Sequence, residues 1–187
     1  MMPWVDVYPT ESIVADYKDG RALVVDIGGG KGHDLEKFRA KHPNIPARSL
    51  VLHDLPATLV DVELTGPAYV VQPNDFFEPE PVKGAKVYFM HNVLHDWPDD
   101  AATVILQNIA EAMEKGYSKL LIHESLVTAE KPLARVTTSD IVMMALLAAK
   151  ERTDTEWMDL INGAGSKVVR IWRPVEAVES VIEAELA

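Results

Sequence analysis

The sequence predicts an α/β domain in which a mostly parallel sheet carries helices on both faces. Three observations lead there. Strand-like and helix-like segments alternate along most of the chain. The apolar run Leu23-Val24-Val25-Asp26-Ile27, rich in β-branched residues, passes straight into Gly28-Gly29-Gly30-Lys31-Gly32, which reads as a buried parallel strand entering a tight turn. A second apolar stretch, Ser49-Leu50-Val51-Leu52-His53, ends in Asp54, an acid about 20 residues beyond the glycine turn, the spacing of a nucleoside-binding α/β unit.

The remaining elements follow in order. Glu11 to Asp19 reads as a short leading helix, and strands over 21–27 and 48–54 flank a polar helix from Asp34 to Lys41 that His42-Pro43 ends. A helix follows Pro56, then a short strand from Ala68 to Gln72, then Asn74-Asp75-Phe76-Phe77. Glu78-Pro79-Glu80-Pro81 reads as a surface loop before the apolar strand from Lys86 to Met90. Asp99 to Lys115 repeats apolar pairs on one side, a helix that stops at Gly116 ahead of a strand from Lys119 to Ile122. Thr137 to Ala149 is apolar nearly all round and reads as a buried helix. Thr153 and Glu156 have capping-box spacing, and the segments 167–172 and 175–186 predict two successive strands forming an antiparallel closing hairpin. No linker divides the 187 residues, which are read as one domain over 1–187.

Composition narrows the function. The chain carries 18 basic and 29 acidic residues, a net charge of −11, which repels phosphate backbones and anionic lipid, so neither nucleic acid nor membrane is the expected partner. With no cysteine, disulfides, thiolate nucleophiles and cysteine-based zinc sites are excluded. The longest apolar run, Ile141 to Ala149, is far short of the roughly 18 residues that mark a membrane span, and Met1 to Thr10 lacks a signal pattern. The expected location is the cytoplasm.

The glycine turn specifies the ligand further. A dinucleotide fingerprint needs G-x-G-x-x-G, but His33 stands where its last glycine would fall and the spacing is G-x-G-x-G. That form suits S-adenosylmethionine better than NAD, with Asp54 placed to accept the ribose hydroxyls of an adenosine or, alternatively, to cap the next helix.

A second constellation, Met90-His91-Asn92-Val93-Leu94-His95-Asp96-Trp97-Pro98, follows a strand and so falls at the carboxyl edge of the sheet, where open α/β folds bind ligands. His91 and His95 have i, i+4 spacing, but Asn92 occupies the place of the zincin glutamate and Pro98 opposes a long helix, so no metal is expected. Imidazole titrates near neutrality, which makes His95 a candidate general base or a structural histidine. Glu124, ending the strand Leu120-Leu121-Ile122-His123, and Glu151, in Lys150-Glu151-Arg152-Thr153, are candidate acids to hold its ring. Glu151 could instead pair with Lys150 or Arg152, and Glu124 could cap a helix.

Val25-Asp26-Ile27-Gly28-Gly29-Gly30-Lys31-Gly32, His53-Asp54-Leu55-Pro56, His95-Asp96-Trp97-Pro98-Asp99 and Lys150-Glu151-Arg152-Thr153 together resemble the plant and fungal small-molecule O-methyltransferases of the caffeate and flavonoid type, the fungal secondary-metabolite branch above all. The resemblance covers nearly the whole chain. It implies a Rossmann-like methyltransferase fold with a seven-stranded sheet whose last strand is antiparallel. It also implies methyl transfer from S-adenosylmethionine, leaving S-adenosylhomocysteine, to a hydroxyl of a small aromatic acceptor.

Carried over by motif, Asp26, Gly28 and Gly30 belong to the cofactor loop, with the two glycines approaching the methionine part. Asp54 holds the ribose, Leu55 packs near the adenine, and Asp75 with Phe76 meets the adenine edge. His91 stands where the family often has Lys. His95 is the general base flanked by Glu124 and Glu151, and Asp96, Met143 and Met144 line the acceptor pocket. The family carries a long N-terminal helical domain that dimerises, whereas this sequence starts almost at the cofactor domain. The alternative reading is therefore a non-catalytic or truncated cofactor-binding module, with a homodimer expected through the uncovered apolar face.

Overall fold

The computed structural model describes residues 2–60, 62, 69–127, 134–147, 149–174 and 179–187. Among the described residues eight strands form: β1 (Val24–Ile27), β2 (Leu50–Asp54), β3 (Val70–Pro73), β4 (Val87–His91), β5 (Lys119–Val127), β6 (Arg152–Thr153), β7 (Ser166–Trp172) and β8 (Glu179–Leu186). Seven of them run in the order β3-β2-β1-β4-β5-β8-β7, and the two-residue β6 lies beside β5. Every pairing from β3 to β5 is parallel; β8 is antiparallel to both β5 and β7. This is the predicted sheet, antiparallel last strand included. The first residue of the strand predicted over 68–72 and the first four of that over 175–186 lie outside the described residues.

Continuous burial explains the central strands. All four residues of β1 are buried, as are the first four of β2 and of β4, which unbroken Val/Leu/Ile runs favour when both sheet faces are covered. On one face pack α5 (Asp99–Ala110) and α7 (Asp154–Gly163), whose Ile105, Ile109, Trp157 and Ile161 meet Tyr88, Leu120 and Ile182. On the other, α1 (Trp4–Val7) and α3 (His33–Lys41) bring Trp4, Leu35 and Phe38 onto Phe89 and Leu121. Trp4 is fully buried and stacks on Phe38 and Phe89, centroids 5.3 and 4.5 Å away; truncating a buried aromatic of this size costs about 3–5 kcal/mol.

Several predicted boundaries move. The leading helix α2 covers Glu11–Ala15 only, α5 ends at Ala110, and β5 continues to Val127 because it pairs with β8 over Leu120 to Ser125 and with β6 at Leu126 and Val127. α4 (Pro56–Leu59) follows Pro56 as expected, and the Thr153/Glu156 capping box opens α7. Chain order reverses between β1 and β4, so their carboxyl ends flank the crevice of a topological switch point.

Candidate active site

The glycine turn leaves β1 in left-handed backbone, with φ of +69° at Gly28 and +59° at Gly30, where a side chain would be strained. A Cβ on Gly28 would also stand 2.9 Å from Val93 Cγ2, whereas Gly30 faces open space. The turn is pinned to β2: Gly28 and Gly29 N–H donate to the His53 carbonyl at 2.9 and 3.1 Å, and Gly30 N–H donates to Asp54 Oδ2 at 2.8 Å. The other Asp54 oxygen accepts from Leu55 N–H at 2.7 Å. Asp54 therefore braces the glycine loop as well as ending its strand, and Leu55 is exposed beside it.

Asp75 lies one strand further on. Its carboxylate accepts from Phe77 N–H at 3.0 Å, and Asn74 N–H bonds the Asp54 carbonyl at 3.0 Å, which brings the turn to the end of β2. Phe76 reaches the Gly28 position and makes edge contacts with Phe77 and Trp97, while Asn108 Nδ2 holds its carbonyl at 3.1 Å. Gly28, Gly30, Asp54, Leu55, Asp75 and Phe76 thus converge at one edge of the sheet. Asp26 does not line that surface. Its carboxyl is buried under Gly29, with neither oxygen hydrogen-bonded, and burial, reinforced by the charges of Asp34 and Asp54, pushes its pKa well up.

Glu78, Pro79 and Pro81 are exposed, as the surface loop read from the sequence expects, but one residue of the stretch turns inward. Glu80 is buried: one oxygen lies 3.2 Å from His53 Nδ1 and the other accepts from Val82 N–H at 2.8 Å. The partner is on β2, remote in sequence, and the prolines alone gave no sign of it.

His91 and His95 point to separate places. His91, at the end of β4, has Nδ1 2.6 Å from Asp34 Oδ2 and stacks on His123 at 4.4 Å. Burial and the neighbouring His91 push His123 down to about 3, and His123 Nε2 lies 3.9 Å from Glu179 Oε2. Donor atoms of His91, His123 and Glu179 fall within 4.8 Å of one another. The two rings, however, are inclined by only 30°, so their in-plane lone pairs run side by side instead of converging on one ion, which a shared metal requires.

His95 occupies a 3₁₀ turn, Leu94–Asp96, just past β4. Its Nδ1 is 3.2 Å from Glu151 Oε1 and 3.7 Å from Glu124 Oε2, and its Nε2 is 3.4 Å from Asp96 Oδ1. Both glutamates are buried, whereas Asp96 is half-exposed. Glu124 also accepts from Val93 and Leu94 N–H, each at 3.0 Å, and Glu151 N–H donates to Asp140 Oδ1 at 2.9 Å. Burial alone would lower the imidazole pKa, but the Glu151 bond and the charges of Glu124, Glu151 and Asp96 outweigh it and lift it to about 9. Burial lifts Glu124 to about 7 against the pull of His95. A carboxylate on Nδ1 favours the tautomer with its proton there and leaves Nε2 as the accepting atom.

The acceptor-side residues are looser. α6 (Ala134–Leu147) packs on β5 and on the His95 turn; Met143 is half-buried, and Met144, Ile141 and Leu147 are exposed. The helix read as buried all round therefore presents apolar side chains outward. Sequence reasoning missed Asp34, Asp140 and Arg152, which hold the His91 ring, the Glu151 backbone and the His95 turn from positions remote in sequence; Arg152 appeared only as a surface counter-ion for Glu151. Among the described residues no helix is long and apolar enough to cross a membrane.

A family model described as an O-methyltransferase domain matches residues 6–167. The O-methyltransferase ATR12 of Stachybotrys chlorohalonatus is 44% identical over 99% of this chain and 47% of its own length. The solved structure of OxaC in complex with SAH and oxaline superposes with a TM-score of 0.91 at 31% identity, covering 98% of this chain and 47% of that one. Another structure, described as a pericyclic reaction enzyme, gives 0.89 at 34% identity, covering 96% of this chain and 47% of that one. The chain spans about half the length of the curated relatives it matches.

Proposed function

This chain belongs to the O-methyltransferase family, and on that premise we propose that it moves a methyl group from S-adenosylmethionine to a phenolic hydroxyl of a small aromatic metabolite, with His95 as general base. The supporting observation is the ring of His95 at the sheet edge, backed by Glu151 at 3.2 Å and Glu124 at 3.7 Å. The whole of 1–187 is read as the cofactor-binding domain, with a small aromatic molecule as partner and the exposed α6 side chains as the face for self-association.

The cleft suits the cofactor. Gly30 faces open space, and each Asp54 oxygen, having accepted one backbone N–H, keeps a second acceptor site for a ribose hydroxyl. Leu55 and Phe76 offer apolar surface to an adenine, and Asp75 offers a carboxylate to its edge. Bound there, S-adenosylmethionine supplies an electrophilic methyl on a sulfonium, whose positive charge also disfavours a nearby imidazolium.

The protein contributes position and proton removal. His95 at about 9 is charged at neutral pH in the free chain; once neutral, Nε2 takes the hydroxyl proton, and Glu151 on Nδ1 stabilises the imidazolium so formed. A phenol near pKa 10 attacks poorly while protonated, so this transfer is where the base matters.

The exposed Met144 and Ile141 (53% and 58%) favour a second reading, in which this chain binds the cofactor without turning it over because the acceptor wall is uncovered.

The experiment pairs calorimetry of S-adenosylmethionine with a phenol panel assayed by mass spectrometry. The expected result is cofactor binding and a methylated product, with His95→Gln lowering turnover by about 10²–10⁴ while leaving cofactor affinity intact. Equal turnover in His95→Gln removes the base role. Binding without a methylated product favours the second reading, and products formed without release of S-adenosylhomocysteine would place the chain beside the pericyclic neighbour instead.

A further inference from the structure

We propose that Arg152 is a positioning residue for the proposed reaction: its guanidinium grips the main chain of the His95 turn from below, so that the imidazole stays against Glu151. The side chain is fully buried. Nη1 donates to the Leu94 carbonyl at 2.8 Å and Nη2 to the Trp97 carbonyl at 2.7 Å, so the two bonds bracket His95 and Asp96. Nε donates to Asp99 Oδ1 at 2.9 Å, which ties the same group to the first residue of α5, and the guanidinium carbon lies 5.2 Å from the Trp157 ring centroid.

The turn is therefore held from both sides. Glu124 takes the N–H groups of Val93 and Leu94, and Arg152 takes the carbonyls of Leu94 and Trp97. Consecutive residues divide the task, since Glu151 meets the ring of His95 and Arg152 the carbonyls of Leu94 and Trp97 on either side of it. A planar fork with five donors satisfies two carbonyls and a carboxylate at once, which the single ammonium of Lys cannot do in the same geometry. Burying a cation is costly unless it is satisfied in this way. With the clamp gone, the turn is free to carry the ring away from the acids that face it: Glu151 ahead of β6, Glu124 on β5 and Asp96 on the turn itself, with Asp140 of α6 bracing Glu151.

The inference rests on the base role of His95, but it has a readout that needs no turnover. The His95 imidazole of the chain is titrated by NMR with labelled histidine, assigned through His95→Gln, in the wild type and in Arg152→Lys. A folded Arg152→Lys should show the His95 midpoint falling by about one pH unit or more toward the free-imidazole value. Its kcat should drop about tenfold or more, with the affinity for S-adenosylhomocysteine unchanged. An unchanged His95 titration in folded Arg152→Lys overturns the proposal. Should Arg152→Lys fail to fold, Asp99→Ala decides instead, because it loosens the clamp at a half-exposed partner; a smaller shift in the same direction supports the proposal and no shift overturns it. A wild type with no methyl transfer but with the expected NMR shift refutes the proposed reaction and leaves the positioning role standing.

Discussion

Asp54→Asn tests whether one carboxylate both braces the glycine loop and serves the cofactor. Asp54 spends one oxygen on Gly30 N–H at 2.8 Å and the other on Leu55 N–H at 2.7 Å. Asparagine can accept from only one of them, and its NH₂ must then face the other N–H. A hydrogen bond to a charged group contributes about 1.5–3 kcal/mol, and an unmatched donor costs a further ~1–3 kcal/mol where water cannot reach it. Both bonds exist before the cofactor binds, so their loss falls on stability; affinity falls through the ribose hydroxyls, for which losing a charged acceptor costs about 3 kcal/mol, or roughly 100-fold. Isothermal titration of S-adenosylhomocysteine into the purified variant reads this directly, with a melting curve to establish that the fold persists. An affinity within about threefold of wild type would refute the double role assigned to Asp54.

Two further predictions follow from the ionisable groups. Because only neutral His95 accepts a proton and burial and its acid neighbours leave its pKa at about 9, kcat/KM should climb about tenfold per pH unit below that value, while kcat, reporting the cofactor-bound form, should reach its midpoint at lower pH; a flat profile between about pH 6 and 9 would contradict the assignment. Glu80→Ala strands His53 in the interior, and losing a buried hydrogen bond to a charged group costs about 1.5–3 kcal/mol, so urea denaturation should show that loss and melting should fall by about 3–12 °C; replacing both His53 and Glu80 by Leu should restore most of it.

Local chemistry was what the sequence could express. The strand running into glycines, the acid ending β2, the one-sided pattern of α5 and the Thr153/Glu156 box each announce themselves within a few residues, and each stands where its local pattern put it. Long-range pairings left no such trace. Glu80 in a proline-rich stretch looks solvent-exposed until β2 brings His53 to it, and Arg152 looks like one more surface charge until the His95 turn, more than fifty residues earlier, is folded over it. His95, Glu124 and Glu151 could be nominated together only because each residue type suits a base or its acid partner; their convergence required β4, β5 and the approach to β6 to lie side by side. Asp26 shows another limit: membership of the glycine motif pointed to the cofactor loop, and only the folded chain shows its carboxyl packed beneath Gly29.

The switch point also explains why Gly28 must lack a side chain for a reason beyond its backbone angle. In the proposed reaction the sheet divides the tasks, with the cofactor on the loop between β1 and β2 and His95 as base on the turn after β4, and these parts meet where Gly28 faces Val93. Val93 is the residue whose N–H Glu124 holds, two positions before His95. A methyl at position 28 would meet Val93 Cγ2 at 2.9 Å, so either the glycine loop or the His95 turn would have to withdraw. In the proposed reaction the proton acceptor and the methyl donor must reach one oxygen from two sides, and a misplacement of about 1 Å can cost 100-fold. The absence of one carbon at Gly28 thus sets the spacing between the two halves of the chemistry, and Glu124, which fixes Val93 and also faces His95, transmits that spacing to the base.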